Sequence, residues 1–240
     1  MLDSKSSLFN SMVAHGKVVV LYQPKVNSLS REIVGFEALA RLGNYENLIS
    51  PILFVDTLTY SMHIRLFITV LNIIQKDIKS GIFKNKKIGI NIEPKILINP
   101  TINKVLSSLD LEISKMLCVE IIEKPIPSSD WGEIYKTMSH LKKTTKISFA
   151  LDDFGVDGAG FKSLHLPGVS EVKLDGSLIP RNKDQKIIFE NTTTMLKSIG
   201  MKITLEMVET EEEANELKYM VDEFQGYLFG KPVSIKQLVF

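Results

Sequence analysis

The stretch ISFALDD, residues 147–153, is a short apolar run that ends in two adjacent carboxylates. Its length and its content of apolar side chains are typical of a buried β-strand. Seven other segments of similar length share this character, which predicts eight strands in total. They are residues 17–23, 33–40, 87–92, 117–122, 171–175, 202–208 and 224–229.

The connection between the first two predicted strands is short, since it covers only residues 24–31. It contains Asn27, Ser28 and Ser30, which favour turns. A parallel crossover needs a dozen or more residues, so this connection predicts a hairpin and an antiparallel pair.

The other connections have helical patterns. Ser50 and Pro51 are suited to the first turn of a helix, and apolar residues follow at helical spacing between Leu66 and Ile74. Residues 102–109, 130–142, 184–198 and 211–221 show the same kind of pattern, and Gly200 is suited to ending the helix before it. Strands alternating with helices predict a single α/β domain over residues 1–240, a TIM-like (β/α)8 barrel with one antiparallel strand.

Composition excludes several classes of protein. Hydrophobic residues make up 44% of the 240 residues and the formal net charge is +1, so we expect no general attraction to nucleic-acid polymers or to anionic membranes. The single cysteine, Cys118, excludes an internal disulfide and suits a reducing compartment. The first residues do not resemble a signal peptide, and the longest apolar stretch, residues 64–74, is too short to span a bilayer. We therefore expect a cytoplasmic protein.

Polar residues lie near the carboxyl ends of seven of the eight predicted strands, where barrels gather their catalytic groups. Such residues are costly inside strands unless they are paired or bind a metal. They are Glu37, Asn91, Glu120, Asp152, Asp153, Lys173, Asp175, Glu206 and Gln225.

The residue types indicate a divalent-metal site. Oxygen ligands without a cluster of histidines or cysteines favour Mg²⁺ or Mn²⁺ over zinc. Carboxylates held close together repel one another, so they need cations or protons between them. The adjacent Asp152 and Asp153 allow one carboxylate to bridge two ions, about 3.5–4 Å apart, which would suit in-line attack on a phosphodiester.

Other interpretations of these residues are less favoured. Any one carboxylate taken alone would more often be structural than a metal ligand. The glycines between Gly155 and Gly160 do not have the spacing of a phosphate-binding loop. Cys118 is expected to be a small buried hydrophobe, and Met201 and Met207 are expected to lie in the core.

At these residues the chain resembles the bacterial EAL domain family of cyclic di-GMP phosphodiesterases, over nearly its whole length. The Glu37-Ala38-Leu39 signature is one of eight motifs that follow in order. The others are Tyr22-Gln23-Pro24, a variant Asn-x-Ser segment at Asn91, Glu120 to Glu123, Asp152-Asp153-Phe154-Gly155, Lys173-Leu174-Asp175, Glu206-Met207-Val208-Glu209-Thr210 and the segment from Gln225 to Pro232.

The resemblance implies a role for each matching position. Glu37, Asn91, Glu120 and Asp152 would hold one Mg²⁺ or Mn²⁺ ion, and Asp152, Asp153 and Glu206 would hold the second. Lys173 would help to activate the attacking water, with Glu206 and Glu209 as further catalytic residues. Gln23, Arg41, Gln225 and Asp175 would lie at the substrate, and Glu123 would hold the loop that follows the fifth predicted strand, residues 147–153. The implied reaction is hydrolysis of cyclic di-GMP to linear pGpG, and the implied assembly is a homodimer.

The chain also departs from the family pattern. Residues 156–161 read VDGAGF where the family has Thr-Gly-Tyr-Ser-Ser-Leu, and residues 56–59 replace a Pro-Leu-Ala-Glu segment. Glu93 replaces a serine and places a negative charge near the first metal site, and Met207 replaces a glycine.

An alternative function therefore stays open, in which a weak or inactive relative binds cyclic di-GMP or a protein partner and regulates by contact. No sensory or cyclase domain is seen in the sequence, so we expect control by expression, by dimerisation or by a partner in trans.

Overall fold

The protein, described by a computed structural model over residues 2–122, 124–156 and 160–238, forms a closed barrel. Within these residues one sheet has the strand order β1-β9-β8-β7-β6-β5-β4-β2-β3, and pairing of β1 with β2 closes it. The strands are β1 (Val18–Asn27), β2 (Ile33–Asn44), β3 (Asn47–Ile49), β4 (Lys87–Ile92), β5 (Leu117–Ile122), β6 (Ser148–Phe154), β7 (Val169–Leu174), β8 (Lys202–Leu205) and β9 (Glu223–Gln225). Eight strands make the barrel, and the unpredicted β3 lies outside it as the second arm of a hairpin with β2.

The predicted antiparallel strand is confirmed as β1. It runs antiparallel to both of its neighbours, β2 and β9, whereas the other barrel neighbours pair in parallel. In this register Gln23 lies opposite Glu37, and Lys25 lies between Gly35 on one side and Gln225 on the other. The hairpin therefore brings the first two sequence motifs side by side.

Helices connect the parallel strands, as predicted, although their bounds differ from those of the sequence patterns. Three short or peripheral helices, α1, α3 and α5, have no counterpart in the prediction. The helices are α1 (Leu2–Ala14), α2 (Tyr60–Lys79), α3 (Pro94–Leu97), α4 (Pro100–Ser107), α5 (Leu111–Met116), α6 (Trp131–Thr144), α7 (Lys183–Ser198) and α8 (Glu211–Leu217). Gly200 has a φ of +81° just after α7, which fits its predicted role as a stop signal.

The prediction that Ser50 and Pro51 begin the first long helix is wrong. They begin a 3-10 turn, and the Ser50 side chain makes no capping hydrogen bond. The helix starts at Tyr60 instead, because the Thr59 side chain accepts a hydrogen bond from the Met62 backbone N–H.

The last two strands are shorter than predicted. β8 ends at Leu205, since Met207 adopts a φ of +54° that a strand does not accommodate. β9 ends at Gln225, and the next residue, Gly226, packs so closely on Val208 that a Cβ at Gly226 would lie 2.0 Å from the Val208 carbonyl oxygen.

The hydrophobic core lies between the barrel wall and the helices. Phe36 of β2 and Tyr22 of β1 point outward and pack on Phe83, with ring centroids 5.5 Å and 4.9 Å away. Their neighbours Gln23 and Glu37 point inward, following the alternation of side chains along a strand. The barrel interior is consequently polar. Among the described residues, none of the helices has the length and apolar character needed to cross a membrane.

Candidate active site

A first group of carboxylates comes from three strands of the barrel. Glu37 of β2, Glu120 of β5 and Asp152 of β6 are buried, and one oxygen from each lies within 4.8 Å of the others. Asn91 of β4 adjoins them, since its Nδ2 donates a 2.6 Å hydrogen bond to Glu37 Oε1. The Asn91 Oδ1 is buried and accepts no hydrogen bond, so this oxygen is available to a ligand.

A second group shares one member with the first. Oxygens of Asp152, Asp153 and Glu206 also lie within 4.8 Å of one another. Asp153 has a φ of +52°, an uncommon angle that turns it out of the alternation of β6. The backbone of Glu206 extends the ladder beyond β8 through a hydrogen bond from its N–H to the Leu174 carbonyl. Asp152 therefore has the position of a carboxylate that could bridge two ions.

Lys173 of β7 lies at the centre of these carboxylates. Its Nζ is 2.6 Å from Asp152 and 2.9 Å from both Glu120 and Glu206, and it is 3.3 Å from Glu37. One ammonium cannot balance four carboxylates, so the cluster carries excess negative charge when they are ionised. This arrangement favours cations or bound protons.

The pKa values in the cluster follow from burial and from this shared charge. Burial raises the pKa values of Glu120, Asp152 and Glu206 above their usual range, and Lys173 only partly offsets it. For Glu37, burial is outweighed by Lys173 and by the Gln225 amide, which lower its pKa to about 2. Although burial opposes its charge, Lys173 has a pKa well above its usual value because of the surrounding carboxylates. In the absence of metal, some of these carboxyl groups thus retain protons more strongly than in water.

Three of the residues assigned to the substrate lie beside the first group. Gln225 Nε2 donates to Glu37 Oε2 at 2.6 Å and to Gln23 Oε1 at 3.3 Å. Gln23 in turn donates to the Gly230 carbonyl at 3.2 Å. Arg41 is half-buried, within electrostatic reach of Glu37 and Tyr227, and donates to the Ala40 carbonyl at 2.8 Å.

Other predicted site residues are not joined to the cluster. The Asp175 carboxylate caps a 3-10 turn by accepting a hydrogen bond from the Ser177 N–H at 2.8 Å. The Glu209 side chain is exposed, and its backbone N–H donates to Glu213. Glu123 lies outside the described residues, as do residues 157–159 of the divergent loop.

Glu93 does not add an unbalanced charge to the first group, contrary to expectation. Its buried carboxylate is 3.0 Å from both Lys95 and Lys124 and 3.6 Å from His63. Burial would raise its pKa, but the lysines prevail and lower it. Lys124 also contacts Asp56, so Glu93 belongs to an ion-pair cluster that joins α2 and the 3-10 turn before it to the segments after β4 and β5.

The expectation that Met207 lies in the core is wrong, because its side chain is 58% exposed. Its φ of +54° lies in the left-handed region, which glycine enters at little cost. Backbone conformation therefore explains the glycine that the family has at this position.

Lys25 and Gly89 contribute to the site and were not found from the sequence. Lys25 Nζ lies 2.6 Å from Glu120 Oε1, and a Cβ at Gly89 would lie 2.0 Å from the same oxygen. The available signal was alternation, since Lys25 follows Gln23 by two residues in a buried strand and thus faces the same way.

Comparisons with known proteins show which chains this one is similar to in sequence and in fold. The chain is 28% identical over 242 residues to the probable cyclic di-GMP phosphodiesterase PdeG of Escherichia coli, covering 95% of this chain and 47% of that protein. An EAL domain protein from Listeria monocytogenes is 26% identical with a TM-score of 0.84, over 97% of this chain and 95% of that one. The EAL enzyme Bd1971, in its form bound to cAMP and cyclic di-GMP, has a similar fold, with a TM-score of 0.88 at 22% identity over 98% of this chain and 67% of that one.

The chain spans less than half the length of the first curated relatives that it matches. The family model described as "EAL domain" matches residues 7–232, which is nearly the whole chain and includes every residue of both carboxylate groups. The chain therefore belongs to the EAL domain family.

Proposed function

We propose that the chain is a metal-dependent phosphodiesterase that hydrolyses one phosphodiester of cyclic di-GMP and releases linear pGpG. The observation that carries the proposal is the pair of carboxylate groups that share Asp152 at the carboxyl end of the barrel. Relatives named as cyclic di-GMP phosphodiesterases support the substrate. We further propose a cytoplasmic homodimer.

The residues present fit two divalent ions. The donors are carboxylate oxygens together with the Asn91 amide oxygen, which is buried and has no hydrogen-bond donor. Oxygen donors of this kind suit Mg²⁺ or Mn²⁺. When bound, such a pair of ions would activate a water molecule and stabilise the leaving oxygen of the phosphodiester.

The chain's own residues would orient the reactants. Lys173 has the charge and the central position to hydrogen-bond the attacking water, beside Glu206. Arg41 presents a guanidinium suited to a phosphate or a guanine edge, next to Gln23 and Gln225. We assign Glu209 and Asp175 to the same face on resemblance alone, and Glu123 to the support of the loop that follows β6.

The test is hydrolysis of cyclic di-GMP by purified protein with Mg²⁺ or Mn²⁺, followed by chromatography of pGpG. Glu37→Gln should lower the rate at least ~100-fold, because even the outer partners of metal ligands are worth about 10–100-fold. Glu112→Gln is a matched control, since it removes an exposed carboxylate far from the carboxylate groups, which pairs with Lys115 on the surface. Absence of turnover by the wild-type protein with either metal would contradict the proposal.

One observation favours a second candidate function, a relative that binds cyclic di-GMP or a protein partner without hydrolysing the nucleotide. Met207 holds a costly backbone angle directly after Glu206, a residue of the second carboxylate group. This candidate predicts that calorimetry detects binding of cyclic di-GMP, with the same affinity in wild type and in Lys173→Ala, and that no pGpG forms. Loss of binding in that variant would exclude it.

A further inference from the structure

Below the carboxylate groups, the barrel interior contains a second set of charged side chains, which we call the lower network. It consists of Lys25, Glu171, Lys202, Thr204 and Glu223. Glu171 is its hub, since it lies 3.4 Å from both Lys25 and Lys202 and accepts a 2.9 Å hydrogen bond from Thr204. Lys202 also pairs with Glu223 and is 42% exposed, so the network runs from the surface into the barrel.

Lys25 connects the lower network to the candidate metal ligands. Its side chain is 5% exposed and that of Glu120 is fully buried, and they meet at 2.6 Å across the barrel, from β1 to β5. The two oxygens of Glu120 have different neighbours. Oε1 faces Lys25 below, and Oε2 lies 2.9 Å from Lys173 above, outside hydrogen-bond geometry.

Small residues leave the space for this contact. Gly35 lies opposite Lys25 on β2. Ala150 lies opposite Glu120 on β6. Gly89 lies on β4 two residues before Asn91, the residue opposite Glu120, and a Cβ at Gly89 would collide with the Glu120 carboxylate. The interior of such a barrel is ordinarily filled by bulky apolar side chains. Here small residues at these strand positions leave room for the ion pair instead.

A stabilising role alone does not explain such a pair. Replacing a buried ion pair by apolar side chains of similar volume is often neutral or stabilising, since desolvation offsets much of the attraction. Folding stability therefore does not explain why the pair is present. Because Lys25 contacts Oε1 of Glu120, it is Oε2 of Glu120 that faces the carboxylate groups.

We propose that Lys25 is a positioning residue, which fixes Oε1 of Glu120 so that Oε2 is presented to a divalent ion. The inference rests on the metal dependence in the proposed function. It deepens that proposal by extending the site to a residue on the opposite side of the barrel interior, which does not itself contact the ion or the substrate.

The test is the affinity of the protein for Mn²⁺, measured by electron paramagnetic resonance without nucleotide. Lys25→Met should weaken binding about tenfold, as expected for loss of a group that orients a metal ligand. Electrostatics alone predicts the opposite, because removal of a nearby positive charge should favour a cation. Unchanged or tighter binding would overturn the inference.

Lys202→Met is the matched control, since it removes a lysine from the lower network without contacting Glu120, and its Mn²⁺ affinity should stay within about twofold of wild type. If Lys25→Met does not fold, Lys25→Gln replaces it, because its side chain is one atom too short for the 2.6 Å contact and should weaken binding similarly. An equal loss of affinity in Lys202→Met would also overturn the inference, by assigning the effect to the network in general.

The two proposals fail in different ways. Wild-type protein that binds Mn²⁺ but does not hydrolyse cyclic di-GMP contradicts the proposed function and leaves the role of Lys25 intact. Hydrolysis by wild-type protein together with undiminished Mn²⁺ affinity in Lys25→Met contradicts only the role of Lys25.

Discussion

Met207 combines an exposed side chain with a φ of +54°, and this combination costs folding free energy without an evident packing gain. For a residue with a Cβ, the left-handed region costs about 1–2 kcal/mol. Glycine removes that cost but loses roughly 0.5–1 kcal/mol through its freedom in the unfolded chain. Met207→Gly should therefore raise the free energy of unfolding by up to about 1 kcal/mol, as measured by urea denaturation.

The control is Met207→Ala, which removes the same exposed side chain but keeps the Cβ and hence the backbone cost. It should leave the unfolding free energy within about 0.5 kcal/mol of wild type. Equal stabilisation by alanine and glycine would contradict the backbone explanation and implicate the methionine side chain instead.

The carboxylates of the site could be named from the sequence, because each follows a recognisable apolar run and matches a motif in order. Alternation along β1 indicates that Lys25 faces the barrel interior, but its contact with Glu120, and the need for a glycine at position 89, depend on which strands face each other across the barrel. The surroundings of Glu93 were likewise hidden, because His63, Lys95 and Lys124 come from three separate segments. Residue types thus predict the oxygen atoms that could bind a metal ion. The residues that neutralise and orient those carboxylates become visible only in the folded structure.

At the scale of elements, the start of α2 offers a direct comparison of two possible caps. Thr59 accepts the hydrogen bond of the Met62 N–H, whereas Ser50 makes no capping bond. Thr59→Ala should lower the unfolding free energy by about 1 kcal/mol, which is typical for loss of an N-cap. Ser50→Ala should change it by less than about 0.5 kcal/mol. Urea denaturation of both variants measures the difference, and a larger loss in Ser50→Ala would contradict this assignment of the helix start.

The strand pattern was predictable because apolar runs and short connections are local features. The β1–β2 hairpin followed from the length of one loop, and the helices α6 and α7 from periodicity. The early end of β8 depends on a single backbone angle at Met207, and β3 is only three residues long. Neither feature leaves a periodic pattern in the sequence, so both were missed.

At the scale of the whole molecule, the apolar and charged parts of the fold are separated. The hydrophobic core surrounds the barrel, and the interior holds the carboxylate groups above and the lower network beneath. The apolar outer layer therefore provides most of the buried hydrophobic surface, while the ionisable groups are concentrated inside the barrel. The stability of the protein should consequently respond strongly to pH and to divalent metal.

Burial raises the pKa of Glu206 well above its usual value of 4.5, despite Lys173, and raises that of Asp152 and Glu120 as well. Because the folded protein holds these protons more tightly than the unfolded chain, the stability that they provide is lost as the pH rises above about 4.5 toward the raised values. Glu37 and Glu171 act oppositely. With their pKa values lowered to about 2, their contribution is full above about pH 4.5 and disappears only as the pH falls toward 2.

The metal-free protein should therefore lose thermal stability as the pH rises above about 4.5 toward the raised pKa values, whereas Mn²⁺, which requires ionised ligands, should stabilise it more as the pH rises. Circular dichroism measures the melting temperature at each pH, once with a chelator and once with excess Mn²⁺, and so gives the pH dependence of stability without and with the ion. Glu206→Gln is the control, because it removes the carboxyl group whose pKa is raised most. In this variant the melting temperature of the metal-free protein should depend less on pH. A stabilisation by Mn²⁺ that does not vary with pH would show that these carboxyl groups do not release protons to the ion.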